Sequence, residues 1–209
     1  LTAELINNHF DAINSISTQL TKENANPDIY FSRAIEFALV QDFNSSIEDL
    51  NKAITLRPNF MLAYFFRASI KNKLVEFLKN SPDKSGSSSN DLLDTGLADK
   101  NKKISAEKQS MFDVEMIMRD YEKVNEISPD FSFAYFNKAN ILCTQKDFKT
   151  AISNYSKSIQ IDPDFAEAYF NRGLTYLFVG EDAKGLADLS KAGELGIYKA
   201  YNLIQRFKK

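Results

Sequence analysis

Small and apolar residues stand at helical spacing through most of this chain, on stripes narrow enough to bury one face and leave the other wet. Ser46 and Ala53 make one such stripe, Ala151 and Ser158 a second, and Ala192 stands at the position of Ala53 and Ser158 in a third. Pro58, Pro129 and Pro163 follow three of the predicted helices; proline cannot continue a helix and disfavours helical geometry just before it. The short turns "QDF" and "KDF" divide predicted helices into pairs and place Phe43 and Phe148 beside the core of each pair. The pattern therefore predicts helical hairpins.

The hairpins repeat. "SPDFSFAYFNKAN" begins at Ser128, and "DPDFAEAYFNRGL" begins 34 residues later at Asp162. Superposing such pairs aligns Tyr30, Tyr64, Tyr135 and Tyr169 in one column, with the small residues Ala34, Ala68, Ala139 and Gly173 four positions on. Units begin at 27, 61, 132 and 166, steps of 34, 71 and 34, so the middle step is one repeat plus 37 residues. A hairpin of this size cannot bury its apolar face alone, and stacking on a neighbour is obligatory.

Period and small-residue columns together resemble the tetratricopeptide repeat family over residues 27 to about 195, with wording most like its bacterial members. The resemblance implies an all-α, right-handed solenoid (superhelix) of stacked antiparallel helix–turn–helix units. Residues 1–26 read as the second helix of a truncated unit, and 27–60, 61–131, 132–165 and 166–195 as repeats. The unit 61–131 carries an inserted arm or loop at about 80–110, with its mobile tip expected at 81–104. Residues 196–209 read as a capping helix, its terminal lysines suited to the negative end of the dipole. Repeats are expected to continue upstream, and the chain's end to lie near the true C-terminus.

One departure from the family is electrostatic. Where it usually has Leu, this chain has Arg33, Arg67, Lys138 and Arg172; sixteen positions on in the alignment stand Asp49, Asp120, Asn154 and Asp188. Ion pairs joining the two helices of each repeat are expected, weakest where Lys138 meets the neutral Asn154.

Composition narrows function. A net charge of −2 and a pI near 5.6 argue against a general nucleic-acid binder, and no apolar run is long enough to span a bilayer. Compartment is left open between cytoplasm and bacterial periplasm. Cys143 is the only cysteine and His9 the only histidine, so no Cys–His dyad or multi-cysteine metal site is expected, and His9 reads as a polar surface position. No phosphate-loop or metalloprotease motif appears. The expectation is no catalytic residue, no cofactor, no metal and no enzyme.

In the family, first helices line a partner-binding groove. Carried over, the resemblance puts Phe31, Phe65, Phe136 and Phe170 on that face, with Asn140 and Asn171 beside them. Such residues suit a peptide or helix of a partner protein; packing of the same rings between neighbouring helices is the structural alternative. Some relatives clamp a C-terminal carboxylate with Lys, Asn, Asn, Lys and Arg. Asn140, Asn171 and Lys199 match three places, but Phe136 and Leu203 replace two cations. The expected function is a non-enzymatic interaction scaffold. The competing readings are self-association into a larger assembly and regulation of an upstream enzymatic domain.

Overall fold

A computed structural model describes residues 3–22, 25–80 and 114–207, and every described element is helical. The helices are α1 (Ala3–Lys22), α2 (Pro27–Leu39), α3 (Phe43–Leu56), α4 (Met61–Asn80), α5 (114–127), α6 (Ser132–Thr144), α7 (Phe148–Ile161), α8 (Ala166–Phe178), α9 (Asp182–Glu194) and α10 (Lys199–Phe207). The tip expected at 81–104 lies outside the described residues. Contacts divide the chain into Leu1–Asp120 and Tyr121–Lys209.

In the first unit α1 packs on α2, α2 pairs with α3, and α3 packs on α4. Its core gathers Ala34, Leu50, Ala53, Ala63 and Ile70, flanked by Phe31, Phe43, Phe60 and Phe66. In the second unit α6 pairs with α7, α8 with α9, and α10 closes on α9. There Leu189, Ala192 and Ala200 are wholly buried.

The hairpin turns follow from local chemistry. Asp42 and Asp147 cap α3 and α7, accepting from the backbone N–H groups of Ser45 and Thr150, donors that would otherwise be orphaned. The residue before each cap is left-handed: Gln41 and Lys146 at φ 64°, and Gly180 at φ 81° in the corresponding turn before Glu181. The chain then closes with bonds from Asp42 N–H to Phe37 O, Asp147 N–H to Leu142 O and Glu181 N–H to Tyr176 O. This closure satisfies carbonyls at the end of the first helix. Close approach decides the small-residue column. A Cβ on Gly173 would stand 3.0 Å from Gly185 O and 3.1 Å from the Asp188 and Leu189 side chains.

Three of the four expected pairs form, and they reach further than one repeat. Arg33 binds Asp49 in a fork of 2.6 and 2.8 Å, and Arg172 binds Asp188 with the same distances. Arg67 binds Asp120 at 2.8 and 2.5 Å across the insertion. The remaining NH1 of each arginine turns back to the second helix of the preceding hairpin. It meets Ser17 Oγ at 2.9 Å, Asn51 Oδ1 at 2.7 Å and Ser156 Oγ at 2.9 Å. Each guanidinium thus ties three consecutive helices, which its planar, multiply donating head permits. The carboxylates of Asp49 and Asp188 hold Arg33 and Arg172 above the ordinary arginine value, against the opposing effect of burial.

The rung at Lys138 is incomplete. Its Nζ lies 3.7 Å from Glu122, while Asn154 turns to the carbonyl of Thr150 at 2.9 Å. At the C-terminal edge the series ends in an apolar residue. Ala200 N–H bonds to Ile197 O as Ala168 N–H does to Phe165 O, which puts Ile204 in the arginine column, packed against the cap core.

Replacing Arg172 with Leu leaves Asp188 buried without a counter-charge, and urea unfolding is expected to show a loss of about 3 kcal/mol. The double change Lys138→Arg with Asn154→Asp completes the third rung. It is expected to raise stability by about 1 kcal/mol, with each single change contributing less than half of that.

Candidate functional site

Three of the four phenylalanines of the expected binding column are spent on packing against neighbouring helices. Phe31 sits between Phe60 and Phe66, with ring centroids at 5.0 and 5.3 Å. Phe65 is half-buried and edge-on to Phe66 at 6.1 Å. Phe136 lies 4.8 Å from Phe165 and 5.9 Å from Tyr155. Phe170 is buried among Leu189, Ala192 and Ala200, and the Lys199 ammonium covers its ring at 4.5 Å. An exposed aromatic ladder is therefore not what the column provides. Phe31, Phe136 and Phe170 are met by Phe60, Phe165 and the cap.

The amides expected on the same face do come together. Asn171 Nδ2 donates to Asn140 Oδ1 at 2.9 Å, bridging α8 and α6. The same oxygen accepts from the Tyr155 hydroxyl at 2.6 Å. Burial pushes the Tyr155 phenol well above its usual range, with the neighbouring Cys143 adding to the effect, so the hydroxyl stays a donor. Cys143 Sγ lies 3.7 Å from that hydroxyl and 3.4 Å from Thr175 Oγ1, a thiol absorbed into a polar network. Lys199 does not join the two asparagines in a clamp, since its ammonium is engaged over Phe170.

The sequence reading missed the apolar residues that are left exposed. Phe133, Phe136 and Asn140 share one face of α6 at spacings of three and four, and Asn171, Leu174 and Phe178 do so on α8. Phe133 is 48% exposed, Leu174 37% and Phe178 73%. Phe178 also meets Phe148 at 4.6 Å. The signal was present as a second apolar position one turn away from the Phe column. Which of two equally apolar residues is covered depends on the neighbouring repeat. Among the described residues no three His, Cys, Asp or Glu side chains converge as a metal site, and no helix is long and apolar enough to cross a membrane.

The family model for the TPR repeat matches residues 139–180. Solved structures share the fold over most of the chain. MamA from Desulfovibrio magneticus RS-1 is 14% identical, covering 90% of this chain and 85% of its own, with a TM-score of 0.66. The C-terminal part of a TPR repeat-containing protein from Cytophaga hutchinsonii is 15% identical, covering 96% of this chain and 65% of its own, with a TM-score of 0.70. A thermophilic TPR protein from Thermus thermophilus is 11% identical, covering 97% of this chain and 92% of its own, with a TM-score of 0.63. No curated protein sequence matches the chain. Residues 139–180 thus match a TPR repeat, and the chain shares the fold of TPR proteins. Each of its two units has the all-α architecture of stacked helical hairpins seen in those structures.

Phe170→Ala opens a cavity under the cap and is expected to cost about 3 kcal/mol in urea unfolding. Phe133→Ala, at a half-exposed position, should cost less than about 1 kcal/mol.

Proposed function

We propose that the α6–α8 face of the second unit binds an extended segment or amphipathic helix of a partner protein. The observation that carries this reading is the Asn140–Asn171 bridge with exposed apolar residues on both sides of it. The bridging bonds use the oxygen of Asn140 and one N–H of Asn171. That leaves the Asn140 amino group and the Asn171 carbonyl, a donor and an acceptor, for a peptide group of the partner. Phe133 on one side and Leu174 and Phe178 on the other supply apolar contact area around this polar centre, the arrangement of an interface whose affinity comes from a few buried anchors. Phe136, Asn140 and Asn171 are kept as binding residues in this reading. Phe31 and Phe170 support the fold, and their contribution to binding is through the shape they hold.

The test is a crosslinking pull-down from lysate of the source cell with wild type, Leu174→Glu and Phe133→Glu. Both positions are exposed enough to accept a carboxylate without unfolding, which circular dichroism verifies. A protein retained by wild type and lost by both variants supports the reading. Equal retention by all three sinks it.

A further inference from the structure

The seam between α5 and α6, inside the second unit, is built differently from its counterparts. Ala63, Ala134 and Ala168 are wholly buried, and each donates its N–H to the carbonyl of the residue three before it, Phe60, Phe131 or Phe165. Ala63 shares a core with Ile54 of α3, and Ala168 shares one with Ile159 of α7. The residue of α5 in the column of those two isoleucines is Asn125. Its side-chain oxygen is buried with no hydrogen-bond partner among the described residues.

Two further departures fall on the same seam. Lys138 comes only to within 3.7 Å of Glu122 on α5, whereas Arg67 and Arg172 hold the preceding second helix at 2.7 and 2.9 Å. A cleft of about 310 Å³ also remains between α5 and α6, lined by Glu122, Asn125, Glu126 and Lys138. Towards α8, by contrast, α6 is well held. Phe136 packs on Phe165 at 4.8 Å, and Asn171 bridges to Asn140 at 2.9 Å.

We propose that the α5–α6 seam is the opening point of the second unit, where α6 parts from α5 while α6 and α8 stay joined. A buried acceptor without a donor costs free energy only while the seam is closed. A carboxamide in place of isoleucine also takes apolar area out of the contact. Opening lets water reach Asn125 and breaks one long ion pair. The α7–α8 seam has no such relief to gain, because Ile159 fills the column there and the Arg172–Ser156 bond would be lost. The Asn140–Asn171 bridge carries the face around it as one piece, whether or not that face binds a partner.

Ala134 and Ala168 provide matched probes. In a Cys143→Ser background, Ala134→Cys and Ala168→Cys are each treated with iodoacetamide under native conditions. Both positions are wholly buried, so each thiol reacts only on opening. Ala134→Cys is expected to react about tenfold faster than Ala168→Cys, with equal rates once both chains are unfolded in urea. Asn125→Ile restores the apolar column, and Lys138→Arg with Asn154→Asp restores the fork. Each repair is expected to slow the reaction of Ala134→Cys several-fold and to leave that of Ala168→Cys unchanged. Circular dichroism verifies folding, and the two repairs are independent, so either one decides if the other does not fold. Equal native rates at the two positions overturn the proposal. Faster reaction of Ala134→Cys that no folded repair slows overturns it as well.

Discussion

Three arginines set the geometry on which each stretch of this molecule depends. A helical hairpin can turn its apolar stripe towards a neighbour at several angles, because dispersion and hydrophobic contact have little directional preference. A guanidinium is different. Its donors lie in one plane, and Arg33, Arg67 and Arg172 each spend two of them on a carboxylate and a third on the preceding second helix. Satisfying all three bonds fixes the rotation of three helices at once. The acids are almost fully removed from water, so a misplaced helix would leave a buried charge unpaired.

That constraint decides how the aromatic residues are used. With the helices held in one register, the Phe column meets the residue that opens the next first helix, as Phe31 meets Phe60 and Phe136 meets Phe165. The rings become cement between repeats. The apolar surface left exposed lies about one turn away, at Phe133, Leu174 and Phe178, with the Asn140–Asn171 bridge between them. The same packing that makes a regular array uses up the most regular apolar column.

The third position in the arginine series shows what a single exchange does. Lys138 has a point charge in place of a planar fork, and Asn154 has no charge to offer. The pair expected there is absent, and both side chains find other partners, Glu122 and the Thr150 carbonyl. Unequal rungs imply unequal local stability along the array, which in repeat proteins is carried largely by nearest-neighbour interfaces.

The sequence by itself determined the repeat, the hairpins, the turns and the arginine–aspartate pairing, because each is written as residue type at fixed spacing. Helical period, proline after a second helix and a small residue at a close approach need no knowledge of the rest of the chain. Tertiary structure alone decided which apolar side chains are covered. Phe133 and Phe136 are alike in sequence and both touch Phe165, yet Phe133 stays half in water because only Phe136 also reaches Tyr155. It also decided that His9 faces Glu36, 27 residues away, and that each arginine reaches back to the preceding hairpin as well as forward. Burial and partner choice are set by neighbours in space, and a stripe on one helix does not say which groups the next helix brings against it.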